Sequence, residues 1–241
     1  MTATIYLMFY KENNCMIIFD SNKFCPKRKS VVEYIFKSHL FHKKNKFQTI
    51  DIYEHEQFGN VLVIDGDIQI AEKDSYIYDK ALVDPIMPAK KIAVMGGGDC
   101  GVLRELLTRK DVEEVVLIDI DQDVIDASKQ FLKKIMDRSL EDKRAKLVID
   151  NAFKFIEGKK FDAIIYDLTM DPVGAPQDFF GAIAQSLNDG GKLTMQVSCI
   201  HNKKIIEKAH SELEKHFKNI KLTEVNIPSY LEPWIFAYAE K

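Results

Sequence analysis

Cysteine is sparse in this 241-residue chain: Cys15, Cys25, Cys100 and Cys199 form no CxxC pair and have no spacing to histidine that suits zinc. His55, His201, His210 and His216 likewise form no metal pattern and are read as surface residues, so no metal is expected. No apolar run approaches the roughly 18 residues of a membrane span, and no basic segment precedes a long apolar stretch as in a signal peptide. A reducing cytoplasm is the expected home. A basic surplus is also missing: the net charge is −3, which leaves no footprint for nucleic acid, and Lys43-Lys44 and Lys159-Lys160 are read as solvated surface. There is no internal repeat and no low-complexity segment. What is present is a hydrophobic content of 46%, enough to bury a full core in one domain with an appendage or in two small domains.

The period of the apolar residues divides the chain. Strands are expected at 4–10, 16–19 and 30–36, the last preferred to a short helix. Residues 47–71 read as an antiparallel meander, with Phe58-Gly59-Asn60 and Asp65-Gly66 as turns between apolar runs. Residues 1–72 are therefore assigned to a small β domain and 73–241 to a second domain. Tyr76 to Val83 reads as a helix, followed by a connector with two prolines, Asp84-Pro85-Ile86-Met87-Pro88. Strands then alternate with helices: strands at 91–95, 114–119, 146–149, 161–166, 191–196, 220–226 and 234–239, helices near 101–109, 122–135, 151–157, 177–187 and 203–217. The expected class is α/β, a Rossmann-like, methyltransferase-type doubly wound sheet with an antiparallel edge at its end, preceded by the small antiparallel β domain.

The stretch Ile92-Ala93-Val94-Met95-Gly96-Gly97-Gly98-Asp99-Cys100-Gly101 is a buried strand running through a glycine turn into a helix. Glycines at such a junction let the backbone turn tightly and approach a nucleotide. Asp99 is the unusual member, because an acid there repels a pyrophosphate and holds a cation. The expected ligand is a nucleoside that is positive where a dinucleotide is negative.

Ligands of such sheets bind beyond the carboxyl ends of the strands, and those ends carry acids: Asp99, Asp119, Asp150 beside Asn151, and Asp167. Asp119 lies about 20 residues past the loop, where a carboxylate accepts from ribose hydroxyls; Asp150 can accept from an adenine amino group. The competing reading for Asp119 and Asp150 is a helix N-cap. Asp167 lacks that alternative, because Leu168-Thr169-Met170-Asp171-Pro172 is a poor helix start, and it is placed in a loop over the cavity, with Pro176 opening the next helix. Together these features indicate an adenosyl-sulfur ligand. Phe153, Phe155, Phe179 and Phe180 are read as core, and Trp234 and Phe236 as edge-strand core. Cys100 is read as a small residue where glycine also fits, its thiol open to alkylation if it borders the pocket.

Here the chain resembles the aminopropyltransferases, the spermidine and spermine synthases, whose GGGDGG motif is matched by Gly96 to Gly101 except at Cys100. The likeness runs from about Phe47 to Lys241 through Phe47-Gln48, Phe58 to Gly66, Gln69, Glu72-Lys73-Asp74, Tyr78, the acidic strand ends and Gly190-Gly191-Lys192. The resemblance implies an N-terminal β domain, a Rossmann-like catalytic domain and a homodimer. It implies that decarboxylated S-adenosylmethionine is a co-substrate and methylthioadenosine a product, with no cofactor. Gln48 and Asp99 would hold the aminopropyl arm and sulfur region, Asp119 the ribose, and Asp150 with Asn151 the adenine. Asp167 matches the proton-accepting aspartate and Tyr78 the tyrosine beside it. Asp171, Gln196 and Tyr230 match amine-site positions, and Asp79 stands on the co-substrate side where many spermidine synthases carry Gln. Most spermidine synthases have D-S-S-D where this chain has the five residues Asp167 to Asp171. Human-type spermine synthases carry a D-L-T start and a P-S-Y-L-E motif, and both are here, in Asp167-Leu168-Thr169 and Pro228-Ser229-Tyr230-Leu231-Glu232. Glu232 would then meet the far end of the amine, and the resemblance leans towards spermidine as acceptor, although residues 1–46 lack the long N-terminal domain of the human-type enzyme.

The chemistry suits these residues. A sulfonium departs as a neutral thioether without acid or metal, whereas an attacking amine with a pKa of about 10 must first lose a proton. Two cationic substrates meeting in a dry cavity need counter-charge, which Asp99, Asp167, Asp171 and Glu232 would supply. Two other readings remain: an amine methyltransferase using ordinary S-adenosylmethionine, and a non-catalytic polyamine-binding homologue.

Overall fold

The computed structural model describes residues 9–11, 14–20, 31–169 and 172–241; Asp171 and most of the strand expected at 4–10 lie outside them. The described chain begins with an antiparallel meander: β1 (Phe9–Lys11), β2 (Asn14–Asp20), β3 (Val31–Lys44), β4 (Thr49–His55), β5 (Gly59–Ile64) and β6 (Asp67–Ala71), hydrogen-bonded in that order. The strand expected at 30–36 runs on to Lys44. Its pairing with β4 shifts register twice, between Phe36 and Ser38 and between His39 and Phe41. Such irregularities break the two-residue alternation by which a strand is read.

Beyond β6 come α1 (Ser75–Val83), a short 3-10 turn at Asp84–Ile86, β7 (Lys91–Gly96), α2 (Gly101–Leu107), β8 (Glu114–Asp119), α3 (Gln122–Phe131), α4 (Lys133–Met136), β9 (Ala145–Ile149), α5 (Ala152–Ile156), β10 (Phe161–Asp167), α6 (Phe179–Ser186), β11 (Leu187–Cys199), α7 (Lys203–Leu213), β12 (Lys218–Ile227) and β13 (Glu232–Glu240). The helix expected over 122–135 is two, broken at the fully buried Leu132. Pro176 does not open a helix, because α6 starts at Phe179, where Asp178 accepts a hydrogen bond from the Gly181 N–H.

The second sheet has the order β12-β13-β11-β10-β7-β8-β9. Strands β11, β10, β7, β8 and β9 are parallel, and β13 pairs antiparallel to both β11 and β12. The central strands read as continuous apolar runs because both faces are covered. Ile92 and Val94 of β7 enter the core under α1, α2 and α3, while Ala93 and Met95 enter the one under α5, α6 and α7. The chain leaves β7 towards β8 and leaves β10 towards β11, so these two neighbours mark the topological switch point, where ligands of open α/β sheets bind. Their last paired residues are Gly96 and Asp167.

The meander packs on this sheet mainly through one face, although from the other face the Tyr34 hydroxyl donates to the Ser229 carbonyl at 2.6 Å. Ile50, Ile52, Leu62 and Ile70 share a core with α1 and α2, and Phe41 meets the Phe131 ring at 5.5 Å. The other face buries Tyr53, Val61 and Val63. Among the described residues, no helix is long and apolar enough to cross a membrane.

Candidate active site

The glycine loop is built to let carboxylates in. Gly96 and Gly97 have φ of +88° and +76°, a region that residues with a Cβ rarely adopt. Their neighbours forbid a side chain as well: a Cβ on Gly96 would stand 2.2 Å from the Asp167 carbonyl oxygen, and one on Gly97 3.2 Å from Asp167 Oδ2. On Gly98 it would lie 2.8 Å from Asp119 Oδ2, and on Gly101 2.6 Å from Asp79 Oδ1 and 2.9 Å from Asp99 Oδ1. Asp79, Asp99, Asp119 and Asp167 therefore crowd a single turn of backbone.

Asp167 is the last residue of β10 and not part of a loop over the cavity. The chain leaving it is held in place: the Leu168 carbonyl accepts from Gln196 Nε2 at 2.7 Å and the Thr169 carbonyl from the Tyr166 hydroxyl at 2.5 Å. The Tyr78 hydroxyl donates to Asp167 Oδ1 in a short hydrogen bond. Tyr78 faces the sheet from α1 with Leu82 one turn on, and its ring lies 5.2 Å from that of Phe236. Desolvation and the nearby charge of Asp99 push Asp167 up to about 7, against the lowering effect of the tyrosine bond. Desolvation first, then the Asp167 charge, raises Tyr78 well above its usual range, so it remains a donor at neutral pH.

Desolvation also pushes Asp119 to about 6, even though its Oδ1 accepts from the Asp121 N–H at 2.9 Å. Neither Asp119 nor Asp150 caps a helix. Asp121 caps α3 and Asn151 caps α5, through the Phe153 and Lys154 N–H groups. The acids at the strand tips thus lack the structural role that competed for them. Asn151 is already engaged, since its Nδ2 also donates to the Gly174 carbonyl at 3.2 Å. The exposed Asp150 accepts from the Asn151 N–H.

Asp99 Oδ1 accepts from the Gly101 N–H at 2.8 Å, and desolvation raises its pKa. Asp79 is buried, with one oxygen 2.8 Å from Arg104 Nη2 and the other, Oδ1, without a hydrogen-bond partner. Desolvation and Asp99 raise Asp79 well above the carboxylate range, while Arg104 opposes them. A buried carboxylate oxygen without a donor is costly, and one beside a second carboxylate favours an added cation.

Gln48 Nε2 donates to Asp121 Oδ2 at 2.8 Å, beside Asn45, which donates to the same carboxylate. Two expectations need correction. Trp234 and Phe236 are not on an edge, because β12 lies outside β13. The Trp234 indole donates to Gln196 Oε1 at 2.9 Å and its ring meets that of Tyr230 at 5.2 Å, forming an aromatic wall with Tyr78. Cys100 adopts a left-handed φ of +66°, a conformation that favours glycine, and its fully buried thiol, raised by desolvation, is poorly suited to alkylation.

Tyr230 donates to the Gln69 carbonyl at 2.5 Å, and desolvation with the surrounding acids raises its pKa well above normal. Glu232 opens β13 opposite Ile227, partly buried. Phe153 and Phe180 are core as expected, Phe155 and Phe179 pack partly buried against the same cluster, and His55 is half-buried, stacked on Phe58 at 4.7 Å. Roles not anticipated are those of Asp121, which joins the two sheets; Arg104, the partner of Asp79; and Asp74, whose carboxylate accepts from the Ser229 N–H at 2.7 Å and so fixes the turn before Tyr230. The Asp121-Gln122-Asp123 helix start was a capping signal in the sequence; the other two depend on packing between distant segments.

Comparison with known proteins gives one consistent result. Residues 76–241 match the spermine/spermidine synthase domain and residues 16–72 the spermidine synthase tetramerisation domain. A polyamine aminopropyltransferase of Hydrogenobaculum sp. is 36% identical over 207 residues, 81% of this chain and 73% of its own length. That of Thermococcus onnurineus is 32% identical over 223 residues, 87% of this chain and 78% of its own. Spermidine synthase from Thermotoga maritima superposes with a TM-score of 0.83 at 26% identity, covering 90% of this chain and 78% of that one; a spermidine synthase in complex with the transition-state analogue AdoDATO gives the same values.

Proposed function

The chain belongs to the spermine/spermidine synthase family, and we propose that it moves the aminopropyl group of decarboxylated S-adenosylmethionine to an amine of a polyamine. The observation that carries this reading is the Tyr78–Asp167 pair at the switch point, with Asp167 held up to about 7. A protonated amine with a pKa of about 10 cannot attack. A base poised near neutral pH accepts its proton with less mismatch than an ordinary carboxylate. The nitrogen then bonds to the methylene beside sulfur as the carbon–sulfur bond breaks. Methylthioadenosine leaves as a neutral thioether, and the proton passes from nitrogen to Asp167 and on to solvent. This step calls for neither metal nor cofactor.

Asp99 and the unpartnered oxygen of Asp79 would hold the ammonium of the aminopropyl arm. Asp119 would accept from the ribose, and Asp150 and Asn151 would border the adenine. Gln48 would act indirectly, by fixing Asp121 next to Asp119. Gln196 and Tyr230, both already hydrogen-bonded, would shape the amine site, and Asp171 would add charge there.

For the acceptor we favour putrescine. Support comes from the spermidine synthases superposed at a TM-score of 0.83 and from the edge-to-face contact of Tyr230 with Trp234, which would close a short amine site. A second reading, spermidine as acceptor, is favoured by Glu232 and the Asp167-Leu168-Thr169 start. Product analysis with decarboxylated S-adenosylmethionine decides: methylthioadenosine and spermidine from putrescine support the first reading, spermine from spermidine alone the second. Methylated amine made from ordinary S-adenosylmethionine, or no turnover with either amine, would sink both. For assembly, we propose a tetramer in place of the expected dimer, on the match of residues 16–72. Light scattering should then give four times the chain mass of 27.7 kDa; twice that mass would return the dimer.

A further inference from the structure

The outer face of the N-terminal meander carries a group of side chains that aminopropyl transfer does not use. His39 Nε2 and His42 Nδ1 each lie 2.7 Å from the same oxygen, Oδ1, of the buried Asp51. In a regular strand, residues three apart point to opposite faces. Here the register shift between His39 and Phe41 leaves Leu40 as an extra residue, so His39 pairs with Tyr53 and His42 with Asp51. Since Asp51 and Tyr53 share a face, both imidazoles come to the same side. Bulges re-aim side chains in this way, and they concentrate at functional positions.

The remaining geometry restrains the rings. His39 stacks on Tyr53 at 4.3 Å between centroids and 15° between planes, while the side chain of His42 is 58% exposed, which leaves solvent access. The three ligand atoms all lie within 4.8 Å of one another.

We infer that His39, His42 and Asp51 form a binding site for a divalent transition metal of the zinc type. Two imidazole nitrogens and a carboxylate oxygen are borderline donors suited to Zn²⁺, with bonds of about 2.0–2.2 Å, and three protein ligands leave a coordination position open. A carboxylate only accepts, so in the metal-free chain both ring nitrogens carry the proton. On binding, each ring shifts that proton to its other nitrogen and presents a lone pair. The site lies on the opposite face of the meander from Ile50 and Ile52, which contact the catalytic domain, so it is separate from the Asp167 chemistry.

The test uses the untagged full chain after treatment with chelator. Calorimetric titration with Zn²⁺ should show one ion per chain, and Co²⁺ should give a visible absorption band. His42→Gln, at an exposed position, should weaken Zn²⁺ binding by more than about 100-fold, beyond the 10–100-fold that an outer-shell partner costs. It should also remove the Co²⁺ band while leaving the circular dichroism spectrum and aminopropyl turnover unchanged. Absence of stoichiometric uptake by the native chain overturns the site. Undiminished uptake by His42→Gln, or by the His39→Gln/His42→Gln double variant, overturns it too.

Discussion

Asp167→Asn lowers kcat by about 10²–10⁴-fold, the range that a positioned general base contributes, and leaves the fold intact. Asn keeps an oxygen to accept from Tyr78 and nearly the same volume, so the loss isolates proton transfer. The pH profile provides a second readout. With Asp167 raised to about 7, kcat/KM of the native enzyme should climb as pH rises through about 7 and the carboxylate becomes free to accept a proton; the variant should lack that limb. Stability moves the other way. A carboxyl raised from 3.8 in the unfolded chain to about 7 in the folded one binds its proton more tightly when folded. Its contribution is fully present below the lower value and is lost as pH rises through the higher one. Asn cannot ionise, so the variant should melt above the native temperature at pH 8, where each 1 kcal/mol appears as roughly 2–4 °C in a chain of this size, and the gap should close towards pH 4. Turnover within tenfold of the native enzyme, with the limb near pH 7 retained, would remove Asp167 from the role of base.

How far the site could be read in advance depended on how local each signal was. The glycine loop and the acids at 99, 119, 150 and 167 follow from strand ends, which an apolar run marks within a few residues. Asp79 was placed only through family resemblance; its unpartnered oxygen arises because α1 packs on α2 and Arg104 satisfies one side of the carboxylate alone. The hydrogen bond from Gln48 to Asp121 is not legible in the sequence, because a single chain does not show that Asp121, as cap of α3, turns towards the meander. His39 and His42 give no signal in the sequence because a spacing of three has no meaning in a strand until a bulge restores their common face. In the fold, β7, β8 and β10 were legible as near-continuous apolar runs. The position of β13 inside β12 was not, since strand order is set by contacts far apart in sequence.

Gly96→Ala should be the most damaging glycine-to-alanine change among the described residues. Two costs combine. The φ of +88° is strained for any residue with a Cβ, about 1–2 kcal/mol, and the new carbon would stand 2.2 Å from the Asp167 carbonyl oxygen and 2.8 Å from Leu168 Cδ2. The first of these contacts is to backbone, so relief requires β10 to move away from β7, at about 1–3 kcal/mol for an overpacked interior. That displacement shifts the Asp167 carboxylate from Tyr78, and a misplacement of about 1 Å is enough to cost roughly 10²-fold in rate. Gly158→Ala is the matched control: its φ is +70°, but nothing lies within 4 Å of the added carbon, so it carries the backbone strain without the collision. The expected result is a fall in melting temperature for both, clearly larger for Gly96→Ala, with turnover lost only there. Equal melting shifts and equal turnover in the two variants would mean that the close approach of Gly96 to Asp167 does not position the base.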